Sequence, residues 1–176
     1  MKIMESVLFI SILLITNISF FLVIYLFLKK QSDKEVVQLK LELRKDRQNF
    51  FLPNRVEAYQ RIILLLERIS PNSLVMRNHS ASLTAKDMQS VLLKAIREEF
   101  EHNIAQQIFI STESWETVKN AKEEIVKIIN LAGSQLTNTA SATELANKIF
   151  EITSELKNIP TEVSVKILKK ELHELF

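Results

Sequence analysis

Hydrophobic residues are arranged in two regimes along this chain. Residues 7–28 read VLFISILLITNISFFLVIYLFL, without a formal charge and apolar on every side. After Lys29 and Lys30, apolar residues recur at helical spacing with polar residues between them. At about 1.5 Å per residue the first run spans roughly 33 Å as a helix, enough to cross a bilayer's hydrocarbon core with modest tilt. A cleavable signal peptide is the competing reading, but its apolar core holds about 7–15 residues and ends in small ones. This run is longer and exits through Phe27, Leu28, Lys29 and Lys30, so it reads as an uncleaved signal anchor. Asn17, near the middle, is a candidate for a polar contact with a neighbouring membrane helix. The plainer alternative has Thr16 bonding its own backbone and Asn17 merely tolerated.

Beyond the apolar run, residues 31–49 are highly charged, with Val36, Leu39, Leu43 and Phe50 at coiled-coil spacing. The alternation over 37–43 also fits a strand, but continuation from a membrane helix without Gly or Pro favours helix. Three interrupted heptads do not establish a coiled coil. Pro53 suits the first turn of a new helix, which carries Val56, Tyr59, Ile62, Ile63, Leu66 and Ile69 until Ser70 and Pro71 stop it. A short turn or helix follows through 74–76, and 77–82 reads as loop.

Thr84 with Asp87 three residues later predicts an N-cap. The helix it opens runs to about Ile110, the longest of the domain. It stacks Leu92, Ile96, Phe100, Ile104 and Ile108, with Met88, Val91, Ala95, Ala105 and Phe109 on another side, which places it centrally. The STES run at 111–114 caps a helix marked by Trp115, Val118, Ala121, Ile125, Ile128, Ile129 and Ala132. Ser141 and Glu144 form a capping box for a helix with Leu145, Ile149, Ile152 and Leu156 inward. Asn158 and Pro160 end it, and Thr161 caps a last helix with Val163, Ile167, Leu168, Leu172 and Leu175.

Composition narrows the picture. Gly133 is the only glycine, so dinucleotide fingerprints, phosphate-cradling loops and nucleophile elbows are excluded, and tight hairpins are disfavoured. The fold class is therefore all-α. A transmembrane helix at 7–28 follows a short extracytoplasmic tail at 1–6. A charged juxtamembrane helical stalk occupies 29–50, and a compact bundle of four to five helices fills 51–176. Lys29, Lys30, Lys34, Lys40, Arg44, Lys45 and Arg47 crowd the C-terminal flank, against Lys2 before the run. That asymmetry predicts a cell inner (plasma) membrane protein with its N-terminus out and the bundle cytoplasmic. The absence of Cys agrees with a reducing compartment. Net charge is only +2 and the charges are interspersed, so no nucleic-acid partner is expected.

The densest polar stretch, 97–107, reads REEFEHNIAQQ. Arg97 with Glu101 and Glu98 with His102 are i, i+4 pairs that support a helix. Asn103 and Gln107 project close to the Phe100 stripe, where buried amides need partners on an adjacent helix. Arg97, Glu98, Glu101, His102, Asn103, Gln107 and Trp115 are therefore candidates for a buried polar network or a partner contact. Trp115 reads as packed beneath the central helix rather than as an exposed anchor. A metal-dependent enzyme or sensor using Glu98, Glu99 and His102 is the alternative, since Glu-x-x-His recurs in di-iron bundles. Such a site needs a second copy of the motif, and neither His79 nor His173 follows a Glu at that spacing. No metal, cofactor or catalytic set is nominated.

Several pieces between 51 and 131 act together: Leu52-Pro53 followed by EAYQR at 57–61, LERISP at 66–71, IREEFEHN at 96–103, and Trp115 with VKNAKEE at 118–124. In this combination the chain resembles an uncharacterised family of bacterial single-pass membrane proteins with a cytoplasmic helical domain. The resemblance implies a tether-plus-domain architecture and supplies no catalytic residues. The expected function is a non-enzymatic, membrane-tethered interaction or scaffold module. Its partners are the lipid bilayer and either an unknown protein or a second copy of the chain.

Overall fold

A computed structural model describes residues 2–174, with side-chain surroundings for 13–46 and 49–174. The described residues are all-α. The elements are α1 (Lys2–Ile69), α2 (Pro71–Asn78), α3 (Ala85–Asn103), a 3₁₀ segment (Ile104–Ile108), α4 (Thr112–Ser134), α5 (Ala142–Ser154) and α6 (Pro160–His173). They divide into two compact units, Met1–Phe51 and Leu52–Phe176.

In the first unit every described side chain is exposed. α1 carries an apolar, unburied window that is long enough to cross a membrane. Its polar residues turn back on their own helix. Thr16 Oγ1 and Asn17 Nδ2 both donate to the Leu13 carbonyl (2.9 and 2.7 Å), and Ser19 Oγ donates to that of Thr16. Such back-bonding satisfies a hydroxyl or amide without a second chain.

α1 does not restart at Pro53. One helix runs through it, which corrects the expected helix start. Proline lacks the N–H that would bond the Asn49 carbonyl, a defect of about 3 kcal/mol in a helix interior. Good helix formers lie on both sides, and the downstream half is held by packing.

In the second unit, Ala58, Tyr59, Ile62, Leu65, Leu66 and Ile69 of α1 are buried with Leu74 and Val75 of α2. Met88, Leu92 and Ile96 of α3 and the Val118-to-Ala132 stripe of α4 complete the centre, closed by Leu145 and Ile149 of α5 and Leu168 of α6. α3 packs on α2, α4 and α5, while α4 also packs on α5 and α6. The bundle therefore takes five further α-helices besides the end of α1, rather than four to five in all. α2 is a full helix to Asn78, so the loop begins at His79 and not at Arg77.

Local capping chemistry sets three helix starts. Thr84, Ser111 and Ser141 each accept the amide three residues on, and Ser141 with Glu144 forms a complete capping box. The first and last of these are joined by an antiparallel bridge, with Ala85 N–H donating to Ala140 O (2.9 Å) and Ala142 N–H to Leu83 O (3.1 Å).

Two helices differ from expectation. α3 stops at Asn103, and α4, at 23 residues, is the longer. Asn103 Nδ2 bonds the Glu99 carbonyl (2.9 Å), the chain tightens to 3₁₀, and Ile104 and Ile108 are left exposed. Arg55 Nε donates to the Phe109 carbonyl (3.1 Å) and ties the end of this segment to α1. α6 begins with Pro160 after Ile159 as N-cap, so Thr161 is not the cap. Thr161, Ser164, Val165 and Leu168 face inward, and Val163 and Ile167 face out. Leu156 lies past the end of α5 and is exposed, as are Val91 and Ala105. Leu175 lies outside the described residues.

Candidate functional site

The 97–107 stretch does not form the buried amide network its spacing suggested. Asn103 is half-buried on its own helix, and Gln107 is exposed on the 3₁₀ segment. His102 is exposed with Nδ1 against the Glu98 carbonyl (2.8 Å), while the Glu98 carboxylate faces Lys94 (3.7 Å). The expected Glu98–His102 side-chain pair is thus replaced by those two contacts. Arg97 and Glu101 are both exposed, and no ion pair joins them among the described residues.

Glu99 is the charged residue of this stretch that pairs with other helices. Its carboxylate takes Arg68 Nε of α1 at 2.6 Å and lies 3.6 Å from Arg77 of α2. Glu98, Glu99 and His102 therefore engage separate partners rather than a common point. Among the described residues no cluster of three His, Cys, Asp or Glu is poised to hold a metal ion.

Trp115 is buried, as its position predicted, and stacks on Phe100 with ring centroids 5.3 Å apart and planes at 23°. Lys122 Nζ lies 4.5 Å from the Phe100 centroid, a cation–π contact that keeps the amine at the edge of the core.

A second polar centre was not visible in the sequence. Glu171 on α6 accepts the Ser111 amide (3.1 Å) and the Ser111 hydroxyl (2.9 Å) at the start of α4. Ser111 Oγ in turn accepts the Ser114 amide (3.1 Å), so the carboxylate completes the cap of α4 from another helix. Burial pushes the Glu171 pKa up, but the polar hydrogens of Ser114, Tyr59 and Ser111 outweigh it and hold the group below the usual carboxylate range. The Tyr59 hydroxyl is buried without a well-aligned hydrogen-bond partner. Burial first, and then the nearby Glu171 carboxylate, raise its pKa to about 12 against the pull of Arg55.

A cleft of about 430 Å³ lies where the first turns of α2 and α6 approach the end of α5, lined by Leu66, Pro71, Phe150, Thr161 and Val165. Its hydroxyls from Ser70, Thr153 and Ser154 each donate to a carbonyl of the preceding turn. No His, Lys or Arg lines it. Its ionisable lining residues are the carboxylates of Glu67 and Glu162.

The described residues thus define a helical-bundle protein whose first helix begins with a long, unburied apolar stretch and whose polar centres tie helices together. Against known protein families, residues 5–175 match the family of unknown function DUF7935, and the chain belongs to that family. No curated protein and no solved structure matches it.

Proposed function

We propose that this protein is a membrane-tethered, non-enzymatic interaction or scaffold module. Residues 7–28 cross the cell inner membrane with residues 1–6 outside, and the helical bundle stands in the cytoplasm holding a protein partner or a second copy. The observation that carries this reading is the exposure of an apolar helix: Leu13 through Leu28 have no covering element. Lipid is the medium that removes such a surface from water at no packing cost to the bundle. The run of basic residues from Lys29 onward supports a cytoplasmic stalk and bundle. The metal-dependent alternative gains nothing from the divergent geometry of Glu98, Glu99 and His102.

The test is fractionation with topology mapping. The chain is expected in membranes after alkaline carbonate washing, with a reporter fused after Phe176 active in the cytoplasm only. Release by carbonate, or a reporter active only outside, overturns the tether. In-cell crosslinking with mass spectrometry then reads the module's role, and recovery of nothing but monomer counts against scaffolding.

A further inference from the structure

We infer that the juxtamembrane part of α1 is a self-association seam that pairs two copies of the chain in parallel and in register. This rests on the membrane-tether reading and specifies the partner as a second copy. The helix here is unpartnered. All described side chains from Gln31 to Asp46 are exposed, including Val36, Leu39 and Leu43, with Leu39 57 % exposed. Those three follow a 3, 4 spacing that places Val36 and Leu43 at a and Leu39 at d, with Ser32 at the preceding d and Phe50 at the following a. A β-branched residue at a with Leu at d favours two strands.

Charge complementarity selects the occupant. The g positions are Glu35 and Glu42, and the e positions one heptad on are Lys40 and Arg47. In a parallel, in-register pair each g residue meets the e residue five positions on in its partner, so Glu35 faces Lys40 and Glu42 faces Arg47, each twice. An antiparallel pair brings g against g, Glu on Glu. Lys29 at a and Asp46 at d bound the seam to little more than two heptads, too short to hold strangers together in dilute solution. Two chains fixed in one membrane with the same orientation supply the missing effective concentration.

The chain has no cysteine, so single cysteines report contact without background. In membranes holding the full chain, Ser32→Cys at d is expected to oxidise to a disulfide dimer that Lys34→Cys, on the outer face at f, does not give. Adding Glu35→Lys with Glu42→Lys to Ser32→Cys is expected to abolish the dimer, as is adding Lys40→Glu with Arg47→Glu. Co-expressing the two charge variants is expected to restore it as a mixed dimer. Equal crosslinking at 32 and 34, or a dimer indifferent to both charge sets, overturns the proposal. Carbonate washing of the same membranes separates the two readings. A resistant chain without the Ser32→Cys dimer sinks self-association and leaves the tether standing, whereas a chain washed free sinks the tether on which the seam depends.

Discussion

Removing the Glu171 carboxylate should unfasten α6 from the start of α4. The two bonds it accepts, at 3.1 and 2.9 Å from Ser111, are charge-assisted. Hydrogen bonds to charged groups contribute about 1.5–3 kcal/mol each, and the lower end applies to this half-buried group. Its removal also leaves the Ser111 amide without its acceptor. Glu171→Ala is therefore expected to cost about 2–3 kcal/mol, and Glu171→Gln, which keeps one acceptor oxygen, about 1 kcal/mol. Urea unfolding of the detergent-solubilised chain, followed by Trp115 fluorescence, measures both.

The same group predicts a pH signature. Its folded pKa lies below its unfolded value, so the folded state holds the proton less tightly. The contribution is fully present above the unfolded carboxylate pKa, about 4.3, and is lost as pH falls through the lower folded value. The stability difference between the native chain and Glu171→Gln should be constant from neutral pH down to about 5 and shrink below about 4. Unfolding of Glu171→Ala within about 0.5 kcal/mol of the native chain, the scatter of ordinary surface changes, would refute a role for this tie. A Glu171→Gln difference that stays level into acid would refute it equally.

Tyr59 should behave oppositely. Its pKa is raised to about 12, so its contribution holds below the unfolded value near 10 and disappears as pH rises through 12. Tyr59→Phe removes a hydroxyl without a well-aligned partner, so it should change neutral-pH stability by less than about 1 kcal/mol while flattening the alkaline decline seen in melting curves. Trp115→Ala should cost about 3–5 kcal/mol, because it empties the space beneath Phe100; a loss under about 1 kcal/mol in denaturant would contradict the packing. At Gly133 the atoms nearest an added Cβ belong to the end of Gln89, with Oε1 at 2.6 Å, and Gln89 can swing away from Asn130. Helix propensity gained and an exposed hydrogen bond lost nearly offset, so Gly133→Ala should melt within about 0.5 kcal/mol of the native chain.

The parts of this fold written in neighbouring residues were readable, and those written across helices were not. Caps at Thr84, Ser111 and Ser141 act on the amide three residues on, so the sequence spacing is the geometry. The stripe on α4 was equally plain, because from Trp115 onward its buried face holds only large apolar residues and Ala. On α6 the buried face includes Thr161 and Ser164, and an apolar-only reading rotated the helix toward Val163 and Ile167. Admitting small hydroxyl residues to the stripe yields 161, 164, 165, 168 and 172, a regular helical face. The Arg68–Glu99 tie and the Ser111–Glu171 bond join residues 31 and 60 positions apart, and no local pattern marks either. Pro53 misled for a different reason. A proline is a strong start signal only when packing does not carry the helix through it, and buried Ala58, Tyr59 and Ile62 lie just beyond.

This distribution of polar groups bears on where recognition can lie. In the second unit, Glu99 and Glu171 are engaged within the fold by Arg68, Arg77 and Ser111, so changing them disturbs folding before it disturbs any partner. In the charged part of the first unit, by contrast, Gln31–Glu35 at 3.4 Å is a weak, exposed side-chain contact, and Val36, Leu39 and Leu43 touch no covering element. Substitutions there change no buried contact within one copy. Loss of assembly with an unchanged urea midpoint would therefore place the interaction on the stalk, and loss of both together would place it on the bundle.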